Sequence, residues 1–301
     1  MRTRLTILLT VFLTAVSLAQ QAAIIPLTLQ HNYIFIELRI NNSEPLNFMF
    51  DTGAGVTVID TAAARRLDLA IAGKARIRTS GGTIQSSTSK NNQIRIKDFI
   101  VNKVALEIMP IGHLAAYLDY PLDGIIGYDL LNRFGVEINI DQSQFKIFRG
   151  NTKRLNLKKG EVVKMHQLPY GLFGIKMLLQ ADKNGEIAEV LLKIDSGFED
   201  ALNLHGQTVD KYKLLENRRT KIAEGMSADP TITRNYSAKM HQLSFAAAKW
   251  KKVATVLTVD PLNVQATKQD VAQGFIGQEL LLGFNILYDM PNSRIVFQKR
   301  N

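Results

Sequence analysis

Phe48-Met49-Phe50-Asp51-Thr52-Gly53 and Leu192-Lys193-Ile194-Asp195-Ser196-Gly197 share one pattern: a largely apolar run, an aspartate, a hydroxyl residue and a glycine, 144 positions apart. A second pair follows in the same order, Gly124-Ile125-Ile126-Gly127 and Gly274-Phe275-Ile276-Gly277, 150 positions apart. Between them the stretch 93–108 lies over 242–257 without a gap at an offset of 149, sharing Gln93 with Gln242 and Lys103-Val104-Ala105 with Lys252-Val253-Ala254. Preserved order with only small insertions marks a duplicated unit, so each half is expected to fold to the same plan.

Within the halves the patterning is that of an all-β protein. The runs 33–40, 93–96, 104–108 and 144–148 are short, alternating or β-branched, and bounded by Asn, Gly, Asp or Pro, which predicts strands. Leu130, Leu131 and Phe134 stand at helical spacing after Gly127, and Leu280, Leu281 and Phe284 repeat the arrangement after Gly277, predicting one short helix per half. The basic, polar stretch 151–160 is the expected linker between a first lobe at 20–150 and a second at 161–301.

Arg2 and Arg4, an apolar run over 5–19 broken only by Thr and Ser, and Ser17-Leu18-Ala19 before Gln20 have the layout of a cleaved signal peptide at 1–19. A membrane span needs about 20 apolar residues, so cleavage is the expectation, with export to the periplasm or the medium and no integral membrane segment in the mature chain. A first strand beginning close behind Gln20 leaves no room for a long inhibitory propeptide. The chain has no cysteine, which excludes a disulfide framework and a thiolate nucleophile and points toward a bacterial envelope protein. The formal charge is +10, but Lys and Arg are dense only over 153–159 and 250–252, a scatter that argues against nucleic-acid binding.

A carboxylate at the end of an apolar strand, followed by a hydroxyl residue and glycine, sits at a tight turn that a backbone can approach closely. One such triplet is only a turn. Two of them on duplicated halves related by an approximate twofold axis would meet there, with Asp51 facing Asp195. Two carboxylates held that close cannot both ionise cheaply, so one keeps its proton. The ionised member can take a proton from a bridging water while its protonated partner hydrogen-bonds a carbonyl under attack.

At these residues the chain resembles the aspartic proteases of the pepsin and retroviral type, over most of its mature length. Phe50-Asp51-Thr52-Gly53-Ala54 matches the active-site signature of that family, and the segment from Gly124 to Leu131 looks like the hydrophobic-hydrophobic-glycine element beneath the catalytic loop. The resemblance implies two similar β-barrel lobes about a pseudo-twofold axis, with Asp51 and Asp195 as catalytic residues. It gives Thr52 and Ser196 the task of tying the two loops across the axis, supported by Gly53 and Gly197. It further implies an endopeptidase acting as a monomer on a peptide or protein held between the lobes, with no cofactor and no metal. The paired glycines Gly81 and Gly82 are the flap candidate.

This chain departs from the family pattern in three places. No tyrosine lies near the flap candidate, Phe198 stands where a small residue is usual, and Gln278 replaces the arginine that normally answers the acidic pair Glu199 and Asp200. A serine or threonine at the fourth motif position can hydrogen-bond the carboxylate through its hydroxyl, but the side chains of Ala54 and Phe198 cannot, so the expected activity optimum is less acidic than that of digestive pepsins. Phe198 favours an alternative, a non-catalytic peptide-binding protein with the same fold. In a third reading one half is active and dimerises through Asp51. The five histidines are dispersed without zinc-protease spacing, no serine-hydrolase or P-loop motif is present, and Asp123, Asp129 and Glu279 read as capping or loop residues.

Overall fold

The computed structural model describes residues 22–79, 81–150, 152–216, 218–268 and 271–300. The signal peptide expected at 1–19 lies outside them. The duplication is carried into the topology strand by strand. Across the sheet of the first lobe the order is Thr28–Gln30, Tyr33–Ile40, Leu46–Phe50, Gly124–Ile126, Val58–Asp60, Phe99–Met109, Gly82–Ile96 and Gly73–Thr79. The second lobe repeats it with His166–Gln167, Phe173–Gln180, Ile187–Ile194, Gly274–Ile276, Leu202–Leu204, Ala248–Leu257, Thr233–Phe245 and Lys221–Gly225. In each lobe the second strand also pairs with the seventh, Ile40 opposite Ile94 and Leu179 opposite Leu243, which curls the sheet back on itself into a barrel. The expected all-β, two-lobed class is therefore the observed one.

A third sheet joins the lobes, with three strands from each: Ala22–Pro26, Gln144–Phe148, Gly135–Asn139, Phe284–Asp289, Arg294–Lys299 and Glu161–Lys164. At its centre Gly135–Asn139 runs antiparallel to Phe284–Asp289, with Glu137 opposite Leu287. Those two residues stand at the same 150-residue offset as Gly127 and Gly277, so the pair lies on the axis that exchanges the lobes. Register alone thus locates the pseudo-twofold.

The short helices expected after the glycine segments are present at Tyr128–Leu131 and Gln278–Leu281. Among the described residues each lobe has two more, Thr61–Arg66 and Gly112–Leu118 in the first, Gly206–Lys211 and Pro261–Thr267 in the second. Asp60 and Asp260 cap one of them in each lobe by accepting from the backbone N–H two residues on. No helix among the described residues is long and apolar enough to cross a membrane.

One apolar cluster runs from the first barrel through the shared sheet into the second. Phe50, fully buried, meets Phe145 at 5.8 Å and Tyr288 at 5.6 Å between ring centroids. Burial of a ring of this kind contributes on the order of 2–3 kcal/mol, and here it seats the residue before Asp51 on both lobes at once. The stretch after Asn151 is packed down on the second lobe: Thr152 Oγ1 donates to buried Asp289 at 2.6 Å, and Arg294 donates to the carbonyls of Thr152 and Leu155.

Candidate active site

Both aspartates sit at the ends of strands held in the same way. Leu46–Phe50 runs parallel to Gly124–Ile126 and Ile187–Ile194 parallel to Gly274–Ile276, and the ladders end with Asp51 N–H donating to Ile126 O at 3.1 Å and Asp195 N–H to Ile276 O at 3.0 Å. Beyond the aspartates the chain turns back, and Tyr128 N–H donates to Ala54 O while Gln278 N–H donates to Phe198 O. Gly127 and Gly277 permit this closeness, since a Cβ on either would lie 2.3 Å from a carbonyl oxygen of the loop above.

The two loops then cross. Thr52 N–H donates to Ser196 Oγ at 2.9 Å and Ser196 N–H donates to Thr52 Oγ1 at 3.0 Å. The same hydroxyls donate onward, Thr52 Oγ1 to Ile194 O and Ser196 Oγ to Phe50 O, each at 3.0 Å. Both residues are buried, so these four bonds satisfy groups that water does not reach. Each aspartate also faces the opposite loop. A Cβ at Gly53 would stand 2.2 Å from Asp195 Oδ1, and one at Gly197 would stand 2.4 Å from Asp51 Cγ. The structure thus brings together six of the residues singled out in the sequence: Asp51, Thr52, Gly53, Asp195, Ser196 and Gly197.

The electrostatics of the two carboxylates differ. Asp51 Oδ1 accepts from Gly53 N–H at 2.7 Å and Ala54 N–H at 3.1 Å. Burial, followed by the negative charge of Asp195, nevertheless pushes the Asp51 carboxyl up to about 7, against the opposing pull of Lys193 and those two N–H groups. Asp195 Oδ1 accepts from Gly197 N–H at 3.1 Å, and its Oδ2 lies 2.9 Å from Lys193 Nζ.

Sequence reading missed Lys193, although a signal existed. In a strand, residues two apart share a face, so a lysine two positions before an aspartate at a strand end is placed beside it. Tyr33 was missed for want of any signal. It is buried, its phenol is held well above the usual tyrosine range first by burial and then by Glu199, and both Asp51 and Asp195 lie within electrostatic reach. Tyr117 donates to Glu199 Oε1 at 2.9 Å, and Gln278 Nε2 donates to Asn32 O at 3.1 Å. Gln278 therefore ties the second lobe to the turn before Tyr33. Phe198 stacks edge-on against Phe275 at 4.9 Å.

Gly81 and Gly82 lie at the tip of the hairpin formed by Gly73–Thr79 and Gly82–Ile96, where Thr79 pairs with Gly82. Gly82 takes a positive φ of 138°, open to glycine. The tip reaches the second lobe: a Cβ on Gly81 would lie 3.2 Å from Asp229 Cβ, and the Arg78 guanidinium stands 5.3 Å over the Tyr170 ring.

Residues 36–130 match the aspartyl protease family. That stretch holds Asp51 and the glycine segment at 124–127, and the resemblance read from the motifs is borne out there. The match ends before the second lobe, whose likeness rests on the duplication and on the shared strand order. No curated protein matches the chain.

Proposed function

We propose that the chain is an aspartic endopeptidase in which Asp51 and Asp195 hold one water between them and activate it for peptide-bond hydrolysis. The single observation that carries this reading is the crossing of the two loops, in which reciprocal Thr52 and Ser196 bonds set each carboxylate against the opposite glycine. The family match over the first lobe supports a peptidase in general. One proton shared by two carboxylates supplies an acid and a base together. The ionised member accepts a proton from water as its oxygen attacks the carbonyl carbon, and the protonated member gives its proton to the carbonyl oxygen. On collapse the C–N bond breaks, the leaving nitrogen takes the proton from the first member, and the second regains one from a hydroxyl of the tetrahedral diol.

Both aspartates come from one chain, so a monomer suffices, and water with two carboxylates needs no cofactor. The hairpin ending at Gly81 and Gly82 would cover a peptide lying between the lobes, and the segment 1–19 would direct the chain out of the cytoplasm. The experiment is a peptide-library digest with the wild type, Asp51→Asn and Asp195→Asn. Cleavage by the wild type should fall at least ~100-fold in each variant, with peptide binding retained. Binding without turnover by the wild type favours the non-catalytic alternative, and an active Asp195→Asn favours dimerisation through Asp51.

A further inference from the structure

At the position matching Lys193 the first lobe has Met49, 144 residues earlier, so one half of a nearly symmetric site carries a cation and the other does not. The lysine is not a surface residue that happens to reach inward. Its side chain is 20% exposed, its Nζ stands 2.9 Å from Asp195 Oδ2, and the same Nζ lies 4.8 Å from the centroid of the Phe275 ring. Withdrawing an ammonium from water costs several kcal/mol unless it is paired. Here a carboxylate and an aromatic face provide the pairing. Phe275 is itself fixed, because it belongs to the strand Gly274–Ile276, where it sits opposite Lys193 in register. The ammonium is therefore built into the ladder that presents Asp195.

We propose that Lys193 is a positioning residue that sets the division of labour between the two carboxylates. Its ammonium holds Asp195 as the ionised, proton-accepting member and leaves the shared proton on Asp51. This rests on the endopeptidase reading for its catalytic meaning, but not for the charge assignment itself. The other groups facing the pair do not cancel the effect. His205, beyond the strand Leu202–Leu204, is buried beside Phe275, and its imidazole is pushed down to about 3, first by burial and then by Lys193, so it stays neutral. Arg78 on the hairpin is a second positive charge within reach of His205. Glu199 accepts from Tyr117 of the first lobe, and the buried phenol of Tyr33 lies within electrostatic reach of Glu199 and of both aspartates.

A fixed cation makes both protons of the pair easier to lose. Replacing it should therefore move both titration steps to higher pH, by about one unit or more for an opposite charge at this range. The test uses the full chain with carbon-13-labelled aspartate carboxyls, titrated as wild type, Lys193→Met and Lys193→Arg, with kcat/KM measured against pH on the same samples. In the wild type Asp51 should be the last of the pair to ionise. Lys193→Met should raise both carboxyl steps and both limbs of the rate profile, and Lys193→Arg should leave them near the wild-type positions. Lys193→Gln gives the same reading should the methionine variant not fold. Unchanged steps in the neutral variants, or Asp195 ionising last in the wild type, would overturn the proposal. A wild type that shows the carboxyl shifts yet cleaves no peptide would remove the endopeptidase reading and leave the charge assignment standing.

Discussion

Around Asp51 the chain reads Thr-Gly-Ala-Gly, and the carboxylate takes two backbone N–H groups. Around Asp195 it reads Ser-Gly-Phe-Glu, and the carboxylate takes one backbone N–H and a lysine. The strands beneath, the glycines that let the loops approach, and the hydroxyls that tie them are the same in both lobes. What a duplicated scaffold has to keep is the geometry that places two charges together. The charges around them are free to diverge, and where two carboxylates share one proton, unequal surroundings decide which member acts as acid and which as base.

The largest effect that would break this comparison concerns stability as a function of pH. Burial and then the charge of Asp195 push the Asp51 carboxyl up to about 7, above the 3.8 of a free aspartate. The fold therefore binds a proton more readily than the unfolded chain between those values, and its stability falls as pH rises through that window. Asp51→Asn removes the ionisation while keeping an oxygen to accept from Gly53 and Ala54. It should raise the Tm at pH 8 by an amount equivalent to about 1–4 kcal/mol, with the gain vanishing toward pH 4. Asp195→Asn leaves the Lys193 ammonium against a neutral amide and should be less stable than Asp51→Asn at pH 8 by about 1–3 kcal/mol. Thermal melts from pH 4 to 8 decide it. Equal curves for the two variants would mean that the lobes are electrostatically alike after all.

The hydroxyl tie is the symmetric part, and its variants should behave symmetrically. Thr52→Val leaves the Ser196 N–H without its partner in a buried position, and Ser196→Ala does the same to the Thr52 N–H. Each should cost about 1–3 kcal/mol in urea unfolding. The double variant should cost less than the sum, because the four bonds form one network. Clearly unequal single costs would show that one lobe carries the tie and the other merely receives it.

How much of this could be read from the sequence divides along physical lines. The doubled aspartate and glycine motifs were legible because close backbone approach demands glycine, and a demand of that kind leaves its mark at fixed positions. Strands Tyr33–Ile40 and Gln144–Phe148 fall where their apolar alternation put them. The long strand Gly82–Ile96 was seen only at its end, since the run Ser86 to Asn92 is polar and reads as a loop. It holds because both of its edges are paired, and because Asn92 is satisfied by Ser89 and Asn41 across a bulge. The helices Thr61–Arg66 and Gly206–Lys211 are too short to show a period. Tyr33 joins the site only through the fold, 18 residues before Asp51 and facing Glu199 of the other lobe.

The smallest effect tests how each lobe supports its glycine segment. In the first lobe buried Thr57 accepts from Gly127 N–H at 3.2 Å and donates to Asp129 Oδ1 at 2.7 Å, while Asp129 also accepts from Leu130 N–H at 2.8 Å. In the second lobe the matching residues are Ala201 and Glu279, and Gly277 N–H donates to the Ala201 carbonyl at 3.0 Å. A side-chain brace in one lobe is thus a backbone bond in the other. Thr57→Ala removes the brace without a backbone substitute and should cost about 1 kcal/mol. Burial already raises the Asp129 carboxyl, and the Thr57 hydroxyl is the first group that offsets it. Without that hydroxyl the carboxyl rises further, so the cost of Thr57→Ala should grow with pH above the ordinary aspartate range, as urea unfolding at pH 4 and pH 8 would show. A pH-independent cost would mean that Thr57 acts through Gly127 alone, and the first lobe would then rest on its backbone as the second does.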